Sequence, residues 1–323
     1  MAHQSNYQTC LLFLQPLLLV CSVGAKVPSI IVFGDSTVDA GNNNQIPTIV
    51  KSNFDPYGQN FEGGEATGRF SNGRLPTEFI SERFGTGYDN ITSHLYSVIP
   101  LWKEFEYFKE YQEKLTSFLG KIRAKALLNE ELYVISLGTN DFILNYYVIP
   151  ARSSQFTVEE YQNFLIGIAE NFIFDIYSLG ARKIAIAGLF PIGCLPLERS
   201  QNLLSGRACR EDYNKVAKDY NVKLQRLVAK LSEKLTSIKL VFLNVYDPIQ
   251  EAIEKPSKYG FENVDLGCCG TGTIEFGLAC NLLSIYTCVD ASKYAFWDAI
   301  HPSENLYKII SNRFMRTSLA KFK

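Results

Sequence analysis

The chain has 323 residues, a formal net charge of −1, and 46% hydrophobic and 13% aromatic residues. A charge that close to zero offers no basic field for neutralising phosphates, which argues against a nucleic-acid partner, and no run of like charges forms a tail. The length is ample for one α/β domain with a sizeable core.

At the N-terminus an apolar run over residues 11–23 is interrupted by Gln15 and Pro16 and ends in Val23-Gly24-Ala25. Small residues at the last and third-last positions predict a signal peptide over residues 1–25, cleaved after Ala25, with a single domain over 26–323. A membrane anchor is the competing reading, but the run is too short and broken for a spanning helix. Downstream, strands are expected over residues 27–33, 132–137, 183–187 and 240–245, each nearly continuous in apolar residues, as strands buried on both faces of a parallel sheet are. Between and after them, amphipathic patterns predict helices over 101–119, 157–179, 212–235 and 302–319, with Gly180 placed as a helix C-terminal glycine. The alternation implies a doubly wound parallel sheet flanked by helices, with right-handed crossovers and no linker or repeat.

In such sheets a ligand site lies beyond the carboxyl ends of the strands. Ser36 follows the first strand, Gly138-Thr139-Asn140-Asp141 follows the second, and Asp298 and His301 precede the last helix. A serine nucleophile needs a base for its proton and a carboxylate to orient that base. Of three histidines, His3 lies in the leader and His94 has no partner pattern around it, whereas His301 lies three residues after Asp298. The chain therefore reads as a serine esterase with Ser36, His301 and Asp298 as its catalytic residues. The plainer alternatives are Ser36 as a helix cap and Asn140 as a turn residue. Asp35, Asp141, Asp39 and the run 42–44 are expected to shape their turns and loops. Gly270-Thr271-Gly272 lacks a Walker lysine and a preceding strand, so it reads as loop glycine rather than a phosphate cradle.

Six cysteines remain after the leader: Cys194, Cys209, Cys268, Cys269, Cys280 and Cys288. An even number in a secreted chain suggests disulfides, and the clustering favours Cys194 with Cys209 and the rest among themselves. A zinc site fits poorly, because vicinal Cys268-Cys269 lacks ribbon spacing and no histidine lies within the cluster. One glycosylation sequon is present, at Asn90-Ile91-Thr92.

The blocks at residues 33–44, 66–74, 138–141 and 296–302, together with 187–196 and 267–272, resemble the plant GDSL esterase/lipase family of the SGNH hydrolase superfamily, from about residue 28 to the C-terminus. The resemblance implies a carboxylic-ester or lipid hydrolase working through an acyl-enzyme on Ser36, with no metal or organic cofactor and no protein partner. It also implies an oxyanion hole made of the Ser36 N–H, the Asn140 side-chain amide and a glycine N–H from the second block. That block is where the chain departs. The stretch 79–84 runs almost directly into 85–90, as though an edge strand and its connections were missing, which leaves Gly85 as the oxyanion glycine and Gly87 as its fallback. Acyl transfer to another alcohol uses the same residues, and a catalytically impaired ester- or lipid-binding protein is the alternative from a different class.

Overall fold

The computed structural model describes residues 27–78, 97–202, 205–281, 283, 284 and 286–322. The expected signal peptide over residues 1–25, Gly85, Gly87, Asn90 and His94 lie outside the described residues.

Four strands, β1 (Ile30–Gly34), β2 (Leu132–Ser136), β3 (Lys183–Ala187) and β4 (Lys239–Leu243), pair in parallel in the order β1-β2-β3-β4. In register, Gly34 lies beside Ser136 and Ala187 beside Leu243, so the carboxyl ends of the strands form one rim. The helices are α1 (Leu101–Leu119), α2 (Lys121–Glu130), α3 (Val158–Ser178), α4 (Pro196–Ser200), α5 (Glu211–Lys234), α6 (Tyr246–Glu254), α7 (Pro256–Tyr259) and α8 (Glu304–Arg316). On one face of the sheet, Phe33 packs edge-on against Phe108 of α1 and Phe172 of α3. On the other, Val134 and Leu243 face Ile249 of α6 and Ile310 and Phe314 of α8 across a cavity of about 50 Å³. The expected parallel sheet with helices on both faces is therefore present, and burial of both faces is what makes the middle of each strand apolar.

The expected boundaries shift where side chains intervene. Thr157 caps α3 in a full capping box with Glu160. Gly180, at φ +115°, takes the left-handed position just beyond the helix end. β4 stops at Leu243 rather than 245, because the Asn244 side chain accepts the Asp247 N–H at 3.1 Å and turns the chain into α6. The last helix starts at Glu304 rather than 302. Pro302 bridges back to Phe296, and Ser303 caps the helix through the Leu306 N–H.

A second pair of parallel strands, β5 (Asn263–Gly267) and β6 (Tyr294–Phe296), was not expected. Beside it lies a second core of Tyr57, Phe70, Trp297, Ala291 and three half-cystines. The six cysteines among the described residues all form disulfides: Cys194–Cys209, Cys268–Cys288 and Cys269–Cys280. The first pairing is the expected one. The other two staple the segment leading from β5 towards β6 against the residues that carry Asp298.

Candidate active site

Ser36 sits two residues beyond β1, on a turn fixed from both sides. The Asp35 N–H donates to the Ser136 carbonyl at 3.0 Å, and the Asp35 carboxylate accepts the Thr37 N–H at 3.0 Å and its hydroxyl at 2.6 Å. Burial, opposed mainly by these Thr37 hydrogen bonds, pushes Asp35 up to about 6. Asp39 then ties down the following loop by accepting the Gly41 and Asn42 N–H groups. Asp35 and Asp39 thus do the turn-shaping work expected of them.

Asp298 and His301 lie on a five-residue loop that leaves β6 and returns at Pro302. The Trp297 N–H donates to the His301 carbonyl, the Leu197 N–H to the Ala299 carbonyl, and the Ala299 N–H to the Glu275 carbonyl. The loop is therefore held against α4 and against the disulfide-stapled segment. Gly267 lets it approach β5, since a Cβ there would lie 2.6 Å from the Asp298 carbonyl carbon. From the other side, the Asn72 side chain accepts the Glu304 N–H and Arg74 pairs with Glu304 at 2.7 Å, holding the 66–74 block over the start of α8.

These constraints bring together groups 265 residues apart in sequence. The Ser36 hydroxyl lies 2.7 Å from His301 Nε2, and His301 Nδ1 lies 2.7 and 2.9 Å from the two oxygens of Asp298. With the Nδ1 proton donated to the carboxylate, Nε2 is an acceptor aimed at the serine hydroxyl. Asp298 is fully buried and His301 is 3% exposed, whereas Ser36 is only part-buried and open to an incoming group. The buried carboxylate accepts the Ile300 and His301 N–H groups on Oδ1 at 2.9 and 2.8 Å, satisfying the strong demand of an ionised group out of water. Such a chain can draw a proton from a serine hydroxyl and stabilise the imidazolium that results.

Asn140 stands at the next strand end, four residues after β2 and half-buried, at the entry to a π-helical turn over Asp141–Val148. Gly138 precedes it at φ +114°. The structure thus brings Ser36, Asp298 and His301 into contact and sets Asn140 on the same rim, while Gly85 lies outside the described residues. Among the described residues, no group of three or more His, Cys, Asp or Glu side chains could hold a metal ion.

Two aromatic residues of the site were not anticipated. Tyr57 donates to Asp298 Oδ2 at 2.8 Å, and Phe70 lies against the His301 ring at 5.0 Å between centroids. Phe70 belongs to a block already singled out in the sequence. Tyr57, in Asp55-Pro56-Tyr57-Gly58, carries only a turn signature.

Comparison with known proteins gives the family of the chain. The family model described as GDSL-like Lipase/Acylhydrolase matches residues 30–314. The chain is 48% identical over 340 residues to a GDSL esterase/lipase of Arabidopsis thaliana, covering 97% of each. It is 45% identical to another GDSL esterase/lipase of that plant, covering 100% of each over an aligned stretch of 350 positions, 27 more than the 323 residues here. Among solved structures it is similar to a catalytic mutant of an acetylxylan esterase from Geobacillus stearothermophilus, with 11% identity, a TM-score of 0.39, and coverage of 90% of this chain and 95% of that one.

Proposed function

The chain belongs to the GDSL-like lipase/acylhydrolase family and is an ester-bond hydrolase, and from that premise we propose that it cleaves carboxylic esters through an acyl-enzyme on Ser36. The observation that carries the reading is the unbroken Ser36–His301–Asp298 contact chain. Ser36 Oγ attacks the ester carbonyl as His301 Nε2 takes its proton, giving a tetrahedral oxyanion. Asp298 holds the imidazole tautomer and stabilises the imidazolium. Collapse expels the alcohol, which takes the proton from Nε2 and leaves the acyl group on Ser36. Water then repeats the sequence, its proton passing to His301 and back to the Ser36 oxygen as the carboxylic acid departs. The Ser36 N–H, the Asn140 side-chain amide and Gly85 are proposed as the oxyanion donors. The substrate is an ester of a small molecule or lipid. Among the described residues, no helix is long and apolar enough to cross a membrane.

We further propose that residues 1–25 are a signal peptide and that the protein works outside the cell, a reading supported by three disulfides. N-terminal sequencing of the mature protein should then begin at Lys26.

The test is hydrolysis of short p-nitrophenyl esters. Ser36→Ala and His301→Ala should each lose at least about 10⁴-fold in kcat/KM, as triad members do elsewhere, and a fluorophosphonate should label wild type but not Ser36→Ala. A Ser36→Ala protein as active as wild type would sink the reading. One observation favours an impaired variant of this enzyme: the 27 aligned positions of a relative without counterpart here, set beside the shortened second block. Loss of one oxyanion donor costs about 10²–10³ in turnover. On that reading the protein turns over that much more slowly than its 48% identical relative under the same conditions, while still binding ester.

A further inference from the structure

We propose that Tyr57 is a positioning residue for the catalytic carboxylate, relaying a backbone donor of the disulfide-stapled segment, the Gly277 N–H, to Asp298. This rests on the reading of Ser36, His301 and Asp298 as a catalytic triad.

The Gly277 N–H donates to the Tyr57 oxygen at 2.8 Å, and the Tyr57 hydroxyl donates to Asp298 Oδ2 at 2.8 Å. The two Asp298 oxygens are held differently. Backbone N–H groups from its own loop grip Oδ1, whereas among the described residues Oδ2 accepts from His301 and from Tyr57, which is 241 residues away in sequence. Without Tyr57 the remaining partner of Oδ2 is His301 itself, the group that the carboxylate has to orient, so Oδ2 would keep no anchor independent of the imidazole. Tyr57 cannot pivot: it is fully buried, with the rings of Phe54, Phe70 and Trp297 edge-on around it at 5.8, 6.0 and 5.9 Å. Phe70 in turn lies on the His301 ring, so the same side chain supports both the carboxylate and the imidazole.

The phenol is suited to this role. Burial first, and then the neighbouring Asp298 charge, hold Tyr57 well above its ordinary value, so it stays a donor wherever an esterase works. A donor on Oδ2 also lowers the basicity of the carboxylate. That moderates its pull on the Nδ1 proton.

The effect of removing the hydroxyl follows with a definite sign. Tyr57→Phe should reduce kcat about 10- to 100-fold, the range expected for a lost hydrogen bond to a charged group, with little change in KM. It should also move the acid limb of the kcat/KM–pH profile up by roughly half a unit to one unit, because the less solvated carboxylate holds the imidazolium more tightly. Site-specific replacement of Tyr57 by a fluorinated tyrosine, which keeps the shape and strengthens the donor, should move that limb down. Phe54→Leu, which loosens the packing around the ring but leaves the hydroxyl, should lower the melting temperature and leave the limb in place. If Tyr57→Phe behaves like Phe54→Leu, the hydroxyl is only packing and the proposal falls. The downfield proton resonance of His301 Nδ1 gives the same answer without turnover: in Tyr57→Phe it should persist to higher pH, and an unchanged pH dependence overturns the relay. Failure of the triad reading is separate, since it would show as Ser36→Ala retaining full hydrolysis while this resonance still responded to Tyr57→Phe.

Discussion

At the scale of single residues, the site depends on close backbone approaches as much as on its reactive side chains. Gly267 ends β5 with the Asp298 backbone where a Cβ would be, at 2.6–2.8 Å from its Cα, carbonyl carbon and oxygen, and neither backbone is the flexible end of a side chain that could move aside. Gly267→Ala must therefore shift the loop. Overpacking of this kind costs about 1–3 kcal/mol of stability. A displacement of about 1 Å in a reacting group costs on the order of 10²-fold in rate. Gly267→Ala should accordingly lose far more activity than a 1–3 kcal/mol destabilisation explains at 25 °C, where most molecules remain folded. Kinetics beside a denaturant melt would test this; activity falling only in step with the folded fraction would mean that the loop tolerates the push.

At the scale of elements, the segment between β5 and β6 acts as a brace. The Cys269–Cys280 bond closes an 11-residue separation that contains Glu275, whose carbonyl holds the Ala299 N–H, and Gly277, whose N–H holds Tyr57. A loop of that size gives a disulfide stabilisation of about 3 kcal/mol in the chain-entropy account. Replacing both cysteines by serine should lower stability by that order and reduce kcat, because the two anchors of the Asp298 loop loosen together. Removing Cys194–Cys209, which lies outside this segment, should cost stability with a smaller loss of kcat. Little of this brace was legible in the sequence. β1 to β4 could be read because both faces are covered and their central positions are apolar. β5 could not, because Asn263 and Asp265 interrupt it and four of its five residues are only part-buried. Ser36, Asp298 and His301 were legible because strand ends and a three-residue spacing carry a signal. Tyr57 was not, because its partner lies 241 residues away and a tyrosine between proline and glycine reads as a turn. The pairing of Cys268 with Cys288 and Cys269 with Cys280 was equally closed to spacing arguments, since it depends on where β6 returns beside β5.

For the molecule as a whole, the buried carboxyls of Asp35, Asp39 and Glu198, each raised chiefly by burial, set a pH dependence of stability with a definite sign. Burial pushes Asp35 up to about 6, against its Thr37 hydrogen bonds. It pushes Glu198 up to about 7, where Arg210 at 3.8 Å only partly opposes it and Glu198 Oε1 has no hydrogen-bond partner among the described residues. Both values lie above those of an unfolded chain, so between the ordinary carboxylate range and about pH 7 the folded state binds more protons than the unfolded one. Stability therefore falls as pH rises through that window, the reverse of the usual carboxylate case. Carboxyls held low in the fold, such as Glu275 with its Thr271 hydrogen bonds, contribute the opposite slope, but only below the ordinary range. Asp35 and Glu198 each account for on the order of 3 kcal/mol across their windows. Glu198→Gln separates this contribution from catalysis, because Glu198 touches neither Ser36 nor His301 among the contacts seen. The variant should melt a few degrees above wild type at pH 8, where wild type must hold a buried charge, and close to wild type at pH 4.5, where Glu198 is already neutral. Differential scanning calorimetry at the two pH values would decide it. Equal melting temperatures at pH 8 would mean that Arg210 fully offsets the burial of Glu198, leaving Asp35 and Asp39 to carry the slope.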